Sequence, residues 1–348
     1  MKGRSLRESE IRPSVEEPFK EDLLGRKEMV ESIAGAIDSF RESHVVAIDG
    51  GYGTGKTTVL RFLEVLLRQH GFGVAVLDAW EQDHQHPLES LLKAAGPAFG
   101  DEGWKSGLKE AAEAVLPELV AEFAPPGGRN LGQRALRRVL SDSQPPVEKF
   151  RLRLQEAVKE HGRVVLLVDE LDRCRPDHAV GILEWSKHAF SIDGVHFVFA
   201  VHLDQLSRTV KQLHGAEFDG RGYLDRLIHM EVRLPAVSVE RLVERELKRR
   251  QVREVLASRD RGFDPYEPLR QLRVFLGEAK LSARAAIRAV ALFDSTLRML
   301  PEEGNRRVFV GVLTMMVLLK AATPHAFRRF VSGDRLVTGM SCRTVAFR

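Results

Sequence analysis

A glycine-rich segment from Gly50 to Thr57 constrains the fold of this chain more than any other feature. Its sequence, GGYGTGKT, fits the pattern GxxxxGKT in full. The residues before it, 44–49, read as a buried strand, and residues 57–70 carry apolar side chains at helical spacing. Strand, glycine loop and helix is the order in which a loop of this kind holds phosphate groups. The segment therefore predicts a P-loop with a nucleoside triphosphate as its ligand.

The chemistry of such a loop assigns its residues. Glycines let main-chain amides approach phosphates closely, and the following helix N-terminus adds partial positive charge. Lys56 is placed to reach the β and γ phosphate oxygens, which gives it a catalytic role, and Thr57 is placed to bind Mg²⁺. The predicted nucleotide-binding set is Gly50, Gly51, Tyr52, Gly53, Thr54, Gly55, Lys56, Thr57 and Thr58.

A second segment indicates what the nucleotide is for. Val164–Val168 is a continuous apolar strand, and Asp169 and Glu170 follow it directly. An acidic residue at such a strand end can hold Mg²⁺, and the carboxylate beside it can orient or deprotonate an attacking water. We therefore assign Asp169, with Thr57, to the metal and Glu170 to catalysis. A charged turn after a core strand is the alternative, and the complete P-loop upstream favours the catalytic interpretation.

The surroundings of these motifs resemble the KAP P-loop NTPases, which are AAA+-like ATPases. The main matches are GGYGTGKTTVLRFL at the P-loop, VLDAW at Val76–Trp80 and LLVDELDRCRPDHAVGILE at Leu166–Glu184. Further matches are Asp22–Arg26, HFVFAVHLDQL at His196–Leu206, YLDRLIHMEVRLP at Tyr223–Pro235 and LSARAAIR at Leu281–Arg288. Many relatives carry membrane hairpins between the two motifs, whereas the corresponding stretch here is rich in charge, which predicts a member without a membrane insert.

Four residues depart from the family's pattern. Tyr52 stands in place of Trp, Asp78 of Asn, Glu170 of Asp and His202 of Asp. All catalytic parts are retained, and Glu170 gives the Asp-Glu pair of ordinary AAA+ ATPases, which favours hydrolysis over slow switching. His202 leaves the identity of the sensor residue open. Asp78 could place water, but a capping or hydrogen-bonding role is favoured.

The resemblance implies further site residues. Gly25 and Arg26, in the box before the P-loop, would line the adenine pocket. Arg284 would contact the phosphates as a sensor-2 residue, with a surface helix arginine as the alternative. Arg226 or Arg221 would act as an arginine finger on a neighbouring subunit, which would make the active form an oligomer. Ordinary salt bridges remain the alternative for both.

Strand and helix patterns alternate along the first two thirds of the chain. The predicted strands are 44–49, 74–79, 164–169, 195–201 and 228–234, with intervening helices that include 147–160, 177–190 and 204–214. This alternation predicts an α/β P-loop NTPase fold with a five-stranded parallel sheet and helices on both faces. Both motifs then lie at the carboxyl ends of strands, where ligands bind.

The C-terminal third predicts helices only, over 239–256, 267–275, 283–300 and 307–322, and we interpret it as a helical lid. Dense charge at 244–250 predicts a solvated helix face, because Glu and Arg stand three and four residues apart. The predicted domains are a polar N-terminal segment (1–21), the NTPase core (22–236) with a helical insert (87–146), the lid (237–330) and a tail (331–348).

Composition narrows the class of protein. The chain has 348 residues, of which 43% are hydrophobic and 29% charged, with a net charge of +4. These values predict a globular protein, and they leave nucleic-acid binding open without implying it. The presence of only two cysteines, far apart in the chain, predicts a reducing cytoplasmic setting. The longest apolar run, Val308–Leu319, is too short to span a bilayer, which predicts that the chain has no transmembrane helix. The two cysteines, Cys174 and Cys342, lack zinc spacing, and His84 and His86 alone make a poor metal site.

We conclude from the sequence that this is a KAP-like ATPase that uses ATP and Mg²⁺, couples nucleotide state to conformation and works as a homo-oligomer or with a partner protein. The resemblance suggests bacterial anti-phage defence as its setting. The rival hypothesis is a slow nucleotide-gated switch or scaffold that regulates a partner. A small-molecule kinase is disfavoured by DELDRC and by the long helical C-terminus.

Overall fold

The computed structural model describes residues 13–99, 146–188, 190–235, 237–259, 266–279, 281–299 and 306–332. The chain divides into two compact units, with the boundary after Pro235. Most of the predicted insert, from residue 100 to 145, lies outside the described residues, as do Cys342 and the rest of the tail from residue 333.

Five strands form one sheet in the first unit. They are β1 (Val45–Asp49), β2 (Gly73–Asp78), β3 (Val164–Asp169), β4 (Val195–Val201) and β5 (Met230–Arg233). Their spatial order is β2-β3-β4-β1-β5, and every neighbouring pair is parallel. The predicted five-stranded parallel sheet is confirmed.

The central strands β3 and β4 are apolar because both faces of the sheet are covered there. All seven residues of β4 and all six of β3 are buried. A strand covered on both faces reads as a continuous hydrophobic run instead of an alternating one, and Val, Ile, Leu and Phe supply it here. Burial of each such side chain contributes roughly 1.5–3 kcal/mol.

Helices cover the sheet on both faces. They are α1 (Lys27–Ser39), α2 (Lys56–Gln69), α3 (Pro87–Ala95), α4 (Pro146–His161), α5 (Pro176–His188), α6 (Leu203–His214) and the short α7 (Gly220–Asp225). Side chains of α1 and α2, including Ile33 and Phe62, form one apolar cluster with the sheet. Side chains of α3 to α6, including Leu91 and Leu183, form the other. These two clusters place the sheet at the centre of the unit.

The second unit is helical throughout its described residues. Its helices are α8 (Val239–Arg249), α9 (Val252–Arg259), α10 (Tyr266–Glu278), α11 (Ala283–Met299), α12 (Arg306–Ala322) and α13 (Pro324–Val331). The single helix predicted over 239–256 is wrong, because the chain breaks at Gln251, whose φ of 54° is left-handed. None of the helices in the described ranges has the length and apolar composition that a bilayer span requires.

The charged segment of α8 is also less solvated than predicted. The Glu246 side chain is fully buried, and its carboxylate contacts Arg249 Nε at 2.8 Å and Arg250 Nε at 2.6 Å. Arg250 reaches Asp294 of α11 at 3.5 Å, and Arg298 contacts the same carboxylate at 2.7 Å. The exposed residues Glu244, Arg245, Lys248 and Arg249 form the predicted solvated face, whereas Glu246 and Arg250 are buried in a network that reaches Asp294, which the sequence did not predict.

Candidate functional site

The P-loop connects β1 to α2 and is shaped by its glycines. Gly53 and Gly55 have φ angles of 75° and 95°, which residues other than glycine rarely adopt. A Cβ at Gly55 would overlap the Leu24 side chain, and a Cβ at Gly50 would lie 2.6 Å from Thr54 Oγ1. Gly55 is therefore required by its backbone angle and by lack of space, Gly53 by its backbone angle and Gly50 by lack of space.

Lys56, the first residue of α2, folds back onto the loop. Its Nζ donates to the Gly50 carbonyl oxygen at 2.8 Å and lies 5.5 Å from the centre of the Tyr52 ring. The ammonium group thus sits over the loop whose amides are predicted to bind phosphate. Phosphate oxygens would offer it stronger, charge-assisted hydrogen bonds than the carbonyl does.

Thr57 and Asp169 meet although they come from different elements. Thr57 lies in the first turn of α2, Asp169 ends β3, and the Thr57 hydroxyl donates to the Asp169 carboxylate. Burial raises the pKa of Asp169, while the hydrogen bonds from Thr57 and from the Glu170 amide and the charge of Lys56 oppose that shift. A hydroxyl and a carboxylate side by side are hard oxygen ligands that fit Mg²⁺.

Glu170 is held in an unusual backbone conformation next to Asp169. Its φ of 58° is left-handed, a conformation that costs a residue other than glycine on the order of 1 kcal/mol. Burial raises the pKa of its carboxyl, the charge of Asp169 raises it further, and Arg173 opposes both. A carboxylate with a raised pKa at the strand end suits a general base.

Arg173 contacts Glu170, although the sequence predicted no role for it. Its Nε lies 2.5 Å from Glu170 Oε2. Its guanidinium carbon lies 5.6 Å from the Tyr52 ring centre and 5.9 Å from that of Trp80, and both rings are exposed. The signal in the sequence was an arginine three residues after Glu170, which one turn of the short 3₁₀ helix Leu171–Arg173 brings alongside it.

Two of the four departures from the family pattern contact each other. The rings of Tyr52 and His202 pack edge to face with centres 5.9 Å apart. Asp78 lies beside Asp169 in the register of β2 and β3, and its Oδ1 accepts a hydrogen bond from the Glu81 amide at 3.1 Å. Asp78 therefore caps the turn that follows β2.

Gly25 and Arg26 lie before α1, close to the P-loop. Arg26 is buried, and one terminal nitrogen donates to the carbonyl oxygens of Pro235 at 2.8 Å and Thr54 at 3.3 Å. Gly25 takes a left-handed φ of 65°. Arg26 thus braces the P-loop backbone, while the assignment of both residues to an adenine pocket stays a prediction.

The candidate arginines differ in what they contact. Arg221 is paired with Asp225, at 3.0 Å, and with Glu231. Arg226 ends α7 with an exposed side chain that has no ion pair or hydrogen bond to any other described residue. Arg284 is exposed on α11 of the second unit. Their roles as finger and sensor stay predictions.

One further cluster of side chains was not predicted from the sequence. Asp83, Cys174 and His178 bring a carboxylate oxygen, a thiol sulfur and a ring nitrogen within 4.8 Å of one another. Burial raises the pKa of Cys174 to about 12. His86, in contrast, caps α3 by accepting a hydrogen bond from the Leu88 amide at 3.3 Å.

Fold and site together define a P-loop NTPase, because the glycine loop, the lysine and the strand-end acids meet at the carboxyl edge of a parallel sheet. The sequence profile of the KAP family P-loop domain matches residues 26–298. The chain therefore belongs to the KAP family, as its sequence predicted.

Solved structures offer more distant similarities. A Walker-type ATPase of Pyrococcus abyssi is 15% identical, with a TM-score of 0.44, over 93% of this chain and 78% of that one. The ORC2 protein of Aeropyrum pernix, in its ADPNP-ADP complexes, is 15% identical, with a TM-score of 0.45, over 92% and 72%. The ORC1 protein of Aeropyrum pernix, in complex with DNA, is 17% identical, with a TM-score of 0.45, over 86% and 65%. Curated protein sequences give no match.

Proposed function

We propose that this protein binds ATP with Mg²⁺ and hydrolyses it to ADP and phosphate. The observation that carries the proposal is that Lys56 and Thr57, at the start of α2, meet Asp169 and Glu170, at the end of β3. These side chains are a cation, two oxygen ligands and a base with a raised pKa, and that is the set that phosphoryl transfer to water requires.

Each side chain has one task in this mechanism. Lys56 leaves the Gly50 carbonyl and binds β and γ phosphate oxygens, and the P-loop amides bind the rest of the triphosphate. Thr57 and Asp169 would hold Mg²⁺, which supplies charge neutralisation when bound. Glu170 orients the attacking water and accepts its proton as the water oxygen bonds to the γ phosphorus. The bond from that phosphorus to the β–γ bridging oxygen breaks, and ADP leaves.

Arg226 supports an oligomer as the active form. Its side chain is exposed and unpaired within the described part of the chain, unlike that of Arg221. An arginine presented in this way can reach the γ phosphate of a neighbouring subunit, where it would stabilise the charge of the transition state. Hydrolysis per chain should then depend on protein concentration.

The test is ATP turnover measured over a wide range of protein concentration. We expect turnover per chain to rise with concentration, and Glu170→Gln to lower it by about a hundredfold or more while ATP still binds. Lys56→Ala should weaken binding itself, and Arg226→Ala should flatten the concentration dependence. Arg221→Ala is the matched control for Arg226. Wild-type turnover no faster than that of Glu170→Gln would rule out the ATPase proposal.

A slow nucleotide-gated switch is the second candidate, and the contact of Arg173 with Glu170 favours it. Arg173 pairs with Oε2 of Glu170 at 2.5 Å and favours the ionised carboxylate, so Glu170 is a weaker base until that pair separates. In this case a partner protein would release Glu170, and turnover by the chain alone would be low at every concentration. Tight ATP binding with turnover that only Arg173→Ala increases would support the switch.

The setting that we propose, bacterial defence against phage, rests on the KAP resemblance. Its test is the plating efficiency of phages on bacteria that express the wild type or Lys56→Ala. Protection that requires Lys56 would support this setting, and equal plaque counts across a broad phage panel would contradict it.

A further inference from the structure

We propose that Asp83, Cys174 and His178 form a binding site for a transition-metal ion, with Zn²⁺ as the best fit, separate from the Mg²⁺ of the nucleotide site. One ligand atom from each residue lies within 4.8 Å of the other two. Shortening these separations to metal–ligand bonds of roughly 2.0–2.3 Å around one ion requires only small side-chain movements.

The first argument is the state of His178. The side chain is 1% exposed, and its Nδ1 lies 3.2 Å from the Gln85 carbonyl oxygen. A carbonyl only accepts, so Nδ1 carries the proton and Nε2 keeps a lone pair. Nε2 has no hydrogen-bond partner within the described part of the chain. A ring fixed through one nitrogen, with the other buried and unsatisfied, is the usual arrangement of a metal-binding histidine.

The second argument is the ligand set. A thiolate, an imidazole and a carboxylate suit Zn²⁺, whereas Mg²⁺ requires oxygen ligands. Cys174 is 7% exposed, and its thiol donates to the Glu170 carbonyl oxygen at 3.6 Å. On metal binding this proton passes to solvent and the sulfur bonds to the ion. The charges of the thiolate and Asp83 then balance those of a divalent cation.

The third argument is the support of Asp83. Its Oδ1 accepts from the Arg175 amide at 3.0 Å, and its Oδ2 lies 3.3 Å from Arg175 Nε. Each carboxylate oxygen has two lone pairs, so these contacts fix the carboxylate and leave acceptor capacity for an ion. The Asp83 side chain is 20% exposed, which gives the ion a route from solvent and a water for the fourth position.

The site would join three separate segments of the chain. Asp83 belongs to the turn after β2, which also carries Trp80, and Cys174 ends the 3₁₀ turn that begins at Glu170. His178 lies in the first turn of α5. A bound ion would therefore hold in place the short segment that carries the catalytic carboxylate.

Cobalt tests the proposal, because a Co²⁺–thiolate bond absorbs in the near ultraviolet and Co²⁺ on oxygen ligands does not. The full chain is stripped of metal and titrated with Co²⁺ without nucleotide. We expect one equivalent to produce the thiolate band and Zn²⁺ to abolish it by displacement. Cys174→Ser should lose the band, and Cys342→Ser, which removes the other cysteine, should keep it. His178→Gln should weaken Co²⁺ binding at least tenfold.

Variants that fail to fold are recognised by circular dichroism, and Asp83→Asn provides a nearly isosteric alternative with the same expected weakening. A wild-type chain without a thiolate band at saturating Co²⁺ would overturn the proposal. A band that survives in Cys174→Ser or disappears in Cys342→Ser would do the same. The readout needs neither ATP binding nor turnover, so its outcome is independent of the proposed function.

Discussion

At the scale of single residues, the centre of the site is the carboxylate of Glu170. Burial and the charge of Asp169 raise its pKa, and the adjacent Arg173 opposes them. As the general base of the proposed reaction, Glu170 must be ionised, so activity should fall as the pH drops through its raised pKa. Because Arg173 lowers the pKa of Glu170, it extends activity to lower pH.

Arg173→Ala should move the acidic limb of the pH–rate profile to higher pH. The substitution removes the cation that favours the ionised form, while burial and Asp169 still favour the neutral one. The measurement is kcat/KM for ATP as a function of pH. Arg175→Ala is the control, because Arg175 pairs with Asp83 instead. An unchanged limb, or one that moves to lower pH, would show that Arg173 does not tune Glu170.

Much of the site could be predicted from the sequence, because its chemistry depends on residues next to one another in the chain. The P-loop and the Asp169–Glu170 pair are contiguous, so strand and helix patterns alone put them at the same sheet edge. Arg173 beside Tyr52 and the cluster around Cys174 bring together residues from different loops, which spacing does not reveal. Tyr52 and His202 were noticed separately, and only the fold shows that they touch.

At the scale of elements, the glycines within helices differ in whether a Cβ atom would fit at their position. A Cβ at Gly35 in α1 would meet no atom within 4 Å, whereas a Cβ at Gly181 in α5 would lie 2.6 Å from Pro87 Cγ. Alanine is the better helix former by roughly 0.5–1 kcal/mol. The same substitution should therefore have opposite signs at the two positions.

Gly35→Ala should raise the free energy of unfolding by roughly 0.5–1 kcal/mol. Gly181→Ala should lower it, because the new methyl group would force α5 and the start of α3 apart. Urea denaturation of the two variants beside the wild type measures both changes. A destabilised Gly35→Ala would mean that α1 packs more closely than described.

The buried network of α8 and α11 provides a second prediction at this scale. Glu246→Ala removes the carboxylate that pairs with Arg249 and with the buried Arg250, and should destabilise the second unit by up to roughly 3–5 kcal/mol, because the Arg250 guanidinium stays buried with fewer anionic partners. Glu240→Ala is the control, since Glu240 is exposed and lies 3.4 Å from Arg273. Thermal unfolding compares the two variants, and equal melting temperatures would show that the buried network does not stabilise the second unit.

Element boundaries were predictable where burial determines the sequence. The strands lie within about two residues of their predicted positions because a sheet covered on both faces leaves apolar runs. The break at Gln251 was not predicted because neither glycine nor proline marks it. Next to the break, the buried Arg250 contacts Asp294 of α11 at 3.5 Å. Tertiary contacts of that kind leave no local signal.

At the scale of the whole molecule, His196 links stability to pH. It is fully buried in β4, and neither ring nitrogen has a hydrogen-bond partner within the described ranges. Burial lowers its pKa to about 4, and the neighbouring His44 and Arg163 contribute in the same direction. The unfolded chain, with a histidine pKa of about 6.5, therefore binds the proton more tightly than the folded chain does.

Stability from His196 should be complete above about pH 6.5 and should be lost as the pH falls toward about 4, by about 3 kcal/mol in total. Urea midpoints at several pH values across that window measure the loss. His196→Phe should flatten the dependence, since Phe40 and Phe72 already surround the position. His188→Gln, at an exposed histidine, should leave it unchanged. A His196→Phe curve as steep as the wild type would assign the acid sensitivity to other groups.

The order of the strands also determines when a newly made chain can bind its ligand. Among the strands of the described residues, the one that leads into the P-loop, β1, hydrogen-bonds to β4 and β5 alone, whose last residues are Val201 and Arg233. During synthesis on the ribosome, the P-loop segment emerges early but waits without a neighbouring strand until most of the chain has followed it. Nucleotide can therefore stabilise the core only late in synthesis, and a ribosome that stalls before β4 releases a fragment with the P-loop sequence but without a nucleotide site.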